Sequence, residues 1–115
     1  MTRVDYWRDE ASGTHYLSIL GHAGYSTEGN DIVCAAVSTV SWTLLGFLLN
    51  AGDDIEEITH ETEPGTVVVL CKGKERIDTA FEMAIIGYLQ IEKQYPAYVA
   101  VNIAAKRAAD SRERP

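Results

Sequence analysis

The 115-residue chain reads as one α+β domain: a mainly antiparallel sheet of about five strands with two helices packed on it, in the order ββαββαβ. Three observations lead there. Two stretches, 33–48 and 77–91, carry apolar residues at helical spacing. Five short stretches alternate apolar and polar residues or are rich in β-branched ones. Glycine- and proline-containing turns separate neighbouring strands closely enough for hairpins.

In chain order, residues 2–8 (TRVDYWR) read as a strand on the alternation of Val4 and Tyr6. DEASG at 9–13 is turn material, and 14–20 (THYLSIL) returns as a second strand with Leu17 and Ile19 on one face. GHAGYSTEGND at 21–31 is a loop with three glycines, long for so short a chain. Val33, Ala36, Val37, Val40, Leu44, Phe47 and Leu48 then mark a helix that ends at Asn50-Ala51-Gly52. Residues 55–61 and 66–71 flank Pro64-Gly65 as a second hairpin. A second helix covers Glu75 to Gln94, with Ile77, Ala80, Phe81, Ala84, Ile85, Tyr88 and Ile91 as its stripe, and Pro96 stops it. Residues 98–103 form the last strand. The domain is thus 1–103, followed by an Ala- and Arg-rich C-terminal tail at 104–115.

Composition bounds the function. Ten basic and 17 acidic residues give a net charge of −7, which disfavours a nucleic-acid backbone and suits a basic protein or peptide partner. The charged N-terminus MTRVDYWRDE lacks the apolar core of a signal peptide, and no apolar run reads as long enough to span a bilayer. Two cysteines, Cys34 and Cys71, are too few for a disulfide scaffold, so a reduced, cytoplasmic setting is expected.

The chemistry concentrates in residues 21–38, GHAGYSTEGNDIVCAAVS. His22 leaves a strand; Cys34 lies in the first turn of the next helix; a glycine-rich loop joins them. A thiol at a helix N-terminus is a prepared nucleophile, because unpaired amides and the helix dipole favour the thiolate. The same amides can stabilise an oxyanion, and an imidazole nearby completes the minimum set for acyl transfer. Taken alone, Cys34 reads first as a small buried residue of the helix stripe; its placement with His22 around one glycine-rich loop brings the two readings level.

Asp31 has two readings, N-cap of the helix or third partner orienting the imidazole. Ser38, four residues after Cys34 on the same helix face, can bond the thiolate or imidazole, or bond back to a helix carbonyl. Gly21, Gly24 and Gly29 supply positive φ, close approach or mobility, and the loop they frame can act as a lid. Tyr25 is either a ring that meets substrate or a packing anchor. No metal site is expected, since His15, His60 and Cys71 fall in separate strands without the ligand spacing zinc needs. No cofactor is expected, and GHAGYSTEG lacks the lysine of a phosphate loop.

These same residues carry a family resemblance. Gly21, His22, Ala23, Gly29, Asp31, Ile32, Val33, Cys34, Ala35, Ala36, Val37 and Ser38 closely resemble the signature of the ribosomal-processing cysteine protease family, Prp. GYLQIEKQYPAYVAV, at 87–101, resembles that family's helix–Tyr-Pro–strand ending. The resemblance implies a small, cytoplasmic, typically homodimeric bacterial enzyme without a cofactor. It implies removal of a short N-terminal extension from the large-subunit ribosomal protein L twenty-seven, after an aromatic pair. It makes Cys34 the nucleophile and His22 the base, and leaves Asp31 and Ser38 as motif residues without a fixed role. The tail, with Lys106, Arg107, Arg112 and Arg114, goes beyond the family's ending. A non-catalytic ribosome-associated binding module of the same fold is the alternative, and retention of both His22 and Cys34 favours the enzyme.

Overall fold

A computed structural model of the chain describes residues 1–27 and 29–106. Its elements are β1 (Thr2–Asp9), β2 (His15–Leu20), α1 (Ile32–Leu49), a 3-10 turn (Gly52–Asp54), β3 (Ile55–Glu63), β4 (Thr66–Gly73), α2 (Glu75–Gln94) and β5 (Val99–Lys106). The expected tail begins inside β5, which continues to Lys106; the remainder of it lies outside the described residues.

The five strands form one sheet in the order β3-β4-β2-β1-β5. β1/β2, β2/β4 and β3/β4 are antiparallel, while β1/β5 is parallel, so the sheet is mixed. The parallel edge follows from α2. A strand, a crossing helix and a further strand bring the chain back in its original direction. β2–α1–β3 is a second such crossover, but β4 inserts between β2 and β3, so that pair never touches.

The hairpins close as their sequences require. Asp9 and Thr14 bracket the first turn through Asp9 N–H to Thr14 O at 2.9 Å, with the Asp9 carboxylate accepting from Ala11 N–H at 3.0 Å. Pro64 and Gly65 make the second turn between paired Glu63 and Thr66, with Gly65 at φ +76°. That is the left-handed region which proline followed by glycine suits.

Period-two alternation decides which face is buried. On β2, His15, Leu17 and Ile19 point inward, whereas Tyr16 lies on the other face, stacked on Trp7 at 3.9 Å. Val4, Leu17, Ile19, Val69, Cys71 and Val99 of the sheet meet Val33, Val37, Leu44, Leu45 and Leu48 of α1 and Ile77, Phe81, Ile85 and Tyr88 of α2 in one core. Ser41 and Tyr88 are buried between the helices with their hydroxyls 2.7 Å apart, and Ser41 also donates to Val37 O. α1 departs from the membrane expectation: its 18 residues, at mean hydropathy 2.0, are long and apolar enough to cross a bilayer. Its stripe of Val33, Val37, Leu44, Leu45 and Leu48 nonetheless packs into the core, which is how the interior helix of a folded domain is built.

His15 is fully buried, and the core satisfies it. Its Nδ1 lies 2.6 Å from the Tyr6 hydroxyl, its Nε2 lies 2.7 Å from Asp78 Oδ1, and its ring stacks on Phe81 at 4.2 Å. Arg8 closes the group, 3.2 Å from the same Asp78 oxygen. Burial pushes the Tyr6 hydroxyl up to about 12, so it keeps its proton and donates to Nδ1, which leaves Nε2–H to donate to Asp78. Burial also holds the His15 imidazole below its ordinary range despite the Asp78 bond, so the folded state favours neutral histidine. The unfolded chain then binds the proton first as pH falls, and stability is lost from about pH 6.5 downward. Denaturant melts between pH 8 and pH 5 should show this slope, and His15→Gln should flatten it. Tyr6→Phe should cost about 1 kcal/mol at pH 7. A wild-type slope unchanged in His15→Gln would mean that another group titrates.

Candidate active site

The Asp31 side chain sets the start of α1. Its Oδ1 accepts from Val33 N–H and Cys34 N–H, both at 2.9 Å. This is N-capping, with the residue itself at extended φ/ψ. Its Oδ2 reaches back along the loop and accepts from Tyr25 N–H at 2.9 Å and Ser26 N–H at 3.3 Å. Burial alone would raise this carboxyl. The amides of Cys34, Ser26, Tyr25 and Val33 outweigh that and hold it below the usual carboxylate range. Of the two readings for Asp31, the cap is the one its bonds describe; both oxygens are occupied by backbone amides.

Cys34 is therefore held in the first turn of α1, half-buried and free of any disulfide. The expectation that helix amides serve the sulfur or an oxyanion needs revision. Val33 and Cys34 N–H are committed to Asp31. The amide directed at the sulfur comes instead from the loop: Ala23 N–H lies 3.2 Å from Cys34 Sγ. Ala23 is buried, so this donor is fixed in place beside the thiol. A fixed N–H there is a hydrogen-bond donor aimed at the sulfur.

His22 sits one residue beyond Gly21 at the end of β2. It lines the same two hollows as Cys34 and Ser38. One hollow, about 320 Å³, is walled by Thr2 and Ile19 of the sheet, Trp42 of α1 and the β3–β4 turn from Thr62 to Thr66. The other, about 390 Å³, lies on the loop side against Gly24, Ser26, Gly29, Asp31 and Ala35. Cys34, His22 and Ser38 thus stand where the two hollows meet. The Ser38 hydroxyl makes no hydrogen bond among the described residues, while Thr39, Ser41 and Thr43 on the same helix all bond back to carbonyls four residues earlier. Neither the bond to the thiolate or imidazole nor the bond back to a helix carbonyl is formed by that hydroxyl.

Gly21, Gly24 and Gly29 all adopt positive φ. Gly21 is the most constrained, since a Cβ there would fall 2.7 Å from Met1 O. Tyr25 packs edge-on against Tyr95 and Tyr98, at 5.6 Å and 5.2 Å, and so anchors the loop to the α2–β5 connection. No group of three or more potential metal ligands occurs among the described residues. Sequence reasoning missed the β3–β4 turn, Trp42 and the Ala23 amide as parts of this site. Pro64-Gly65 signals a turn, but nothing local places that turn beside His22; the pairing of β4 with β2 does so.

A small α+β domain with a free thiol capped into a helix start and an imidazole in the same cleft has the parts of a thiol hydrolase. Comparison with known proteins agrees. The family model described as cysteine protease Prp matches residues 1–100, and the chain belongs to that family. It is 27% identical over 88 residues to the ribosomal processing cysteine protease Prp of Mycoplasma genitalium, covering 76% of this chain and 87% of that protein. It is 27% identical over 86 residues to the Mycoplasma pneumoniae protein of the same name, covering 75% and 84%. Staphylococcus aureus Prp with a covalently linked product peptide superposes with a TM-score of 0.77 at 20% identity, over 90% of this chain and 99% of that one. A Streptococcus mutans protein superposes with a TM-score of 0.70 at 25% identity, over 92% and 96%.

The two thiols differ sharply in setting. Burial, with a smaller push from the Glu57 charge, raises the Cys71 thiol to about 11. At pH 7 only about 1 in 10⁴ Cys71 side chains is thiolate. Iodoacetamide at pH 7 should label Cys34 at least ~100-fold faster than Cys71 when labelled sites are mapped by mass spectrometry. Equal rates would show that Cys71 is far more open than the fold places it.

Proposed function

We propose that this chain is a cysteine endopeptidase with Cys34 as nucleophile and His22 as general base. Its substrate is the large-subunit ribosomal protein L twenty-seven, from which it removes a short N-terminal extension. The observation that carries the reading is the meeting of Cys34, His22 and Ser38 between two hollows, with Ala23 N–H directed at the sulfur. The names of the Mycoplasma relatives and the Staphylococcus aureus structures with product and substrate peptides support it.

His22 takes the thiol proton, and the Cys34 thiolate attacks the scissile carbonyl. The tetrahedral intermediate collapses to a thioester as the imidazolium gives its proton to the leaving amine, now the new N-terminus of the ribosomal protein. Water activated by neutral His22 then releases the extension with a new C-terminal carboxylate and restores the thiol. An extended peptide crossing from one hollow to the other passes directly over the sulfur. The net charge of −7 steers a basic substrate inward and disfavours direct nucleic-acid binding.

The setting is cytoplasmic, where free thiols persist; both cysteines are unpaired. The working form is a homodimer. The outer faces of α1 and α2 expose Phe47, Leu49, Met83, Ile86 and Leu89, and an apolar groove of about 590 Å³ runs between the helices. A face of that kind calls for cover.

With a peptide spanning the extension junction, Cys34→Ala should abolish cleavage and Cys71→Ser should leave it within twofold. His22→Ala should lower kcat by about 10²–10⁴-fold with little change in KM. Cleavage retained by Cys34→Ala would end the proposal. A rise in KM alone would make His22 a binding residue.

A further inference from the structure

Among the described residues His22 has no partner of the kind that normally orients a catalytic imidazole. Among the described residues, no group hydrogen-bonds either of its ring nitrogens. Asp31, the obvious candidate, spends both oxygens on backbone amides. An imidazole without a hydrogen bond needs another constraint if it is to transfer protons in a fixed geometry.

That constraint stands on the far side of the cleft. Gly65 O accepts from Gly21 N–H at 2.8 Å, which ties the β3–β4 turn to the residue preceding His22. A Cβ on Gly65 would lie 3.0 Å from His22 Nε2, 3.5 Å from Cε1 and 3.6 Å from Cδ2. The Nε2 edge of the ring thus rests in the space where any other residue would carry its side chain. Pro64 before it and the pairing of Glu63 with Thr66 behind it make the turn rigid.

We propose that Gly65 is a positioning residue. The β3–β4 turn seats the His22 imidazole by close backbone approach and the Gly21–Gly65 hydrogen bond, in place of the carboxylate or amide partner of a conventional triad. This rests on the reading of His22 as the base. It gives the glycine two duties, positive φ and empty space, which can be separated experimentally. Gly52 has a similar φ of +61° with no atom within 4 Å of its would-be Cβ, and it lies outside the cleft.

Gly52→Ala therefore reports the backbone penalty alone, and Gly65→Ala reports that penalty plus a contact tight enough to push the His22 ring by a few tenths of an ångström. In the full chain, Gly65→Ala should lower kcat about 10²-fold with KM within threefold. It should also move the acid limb of the kcat pH profile and the NMR titration of the His22 ring protons. Gly52→Ala should leave all three in place at a similar loss of thermal stability. Should Gly65→Ala fail to fold, Gly65→Asn, which tolerates positive φ, carries the same contact. In wild-type protein the proposal also requires a nuclear Overhauser contact between the Gly65 α-protons and the His22 ring. A Gly65 variant with wild-type kcat and pH profile, a Gly52→Ala variant with the same kinetic loss, or absence of that contact would each overturn it. His22→Ala run alongside separates the two levels. If it is inactive while Gly65→Ala is normal, only the positioning role falls. If it remains active, the base assignment falls as well.

Discussion

The Asp31 carboxylate joins two pieces of backbone that otherwise have no reason to be held together. One oxygen ends the free amides of α1; the other gathers the amides of Tyr25 and Ser26. With four amide donors the carboxylate is held ionised, so the clamp and the charge reinforce each other. Everything at the site hangs from this point. It sets where α1 begins, and so where Cys34 projects. It folds the loop back so that Ala23 N–H reaches the sulfur. Through Tyr25 it also carries the loop onto Tyr95 and Tyr98, where the chain turns from α2 into β5.

The proposed catalytic parts come from separate elements of the chain, and the sheet brings them together. β2 delivers His22, α1 delivers Cys34 and Ser38, and the β3–β4 turn closes the wall. The two helical crossovers make this possible. Each carries the chain across the same face of the sheet, leaving the end of β2, the start of α1 and the β3–β4 turn at one end of the strands. The Tyr6–His15–Asp78–Arg8 group, built around buried His15, belongs to the β1–β2 turn end of the sheet, away from the cleft. There it satisfies polar atoms that the core would otherwise strand.

Much of this was legible in the sequence. Periodicity located α1 and α2, and Pro64-Gly65 located the second hairpin. The likeness of residues 21–38 to the Prp signature pointed to the family, which the family model bears out, and drew attention to Cys34 and His22, which the fold places in one cleft. Local signals failed where the structure is non-local. The hairpins gave the mainly antiparallel sheet, but nothing in residues 98–103 announces that β5 pairs parallel with β1. A lone histidine in THYLSIL gave no hint that His15 is bonded to Tyr6 and Asp78, which lies 63 residues further on. Helix amides looked available to the thiol because a cap side chain's second oxygen, and the donors it draws from the loop, cannot be counted from residue spacing. The role of the β3–β4 turn as a wall beside His22 depends on β4 lying next to β2, which is again a long-range pairing.

The central claim is that Cys34 forms a covalent acyl intermediate with the N-terminal side of a cleaved peptide. Acid-quench mass spectrometry in the first turnover tests this most directly, with fragment ions mapped across residues 9–72, the stretch between Arg8 and Lys72 that contains both cysteines. The expected result is a thioester adduct of the mass of the peptide's N-terminal segment, located on Cys34 and sensitive to hydroxylamine. Cleavage that proceeds with no adduct at any stage, or with the adduct on Cys71, would contradict it.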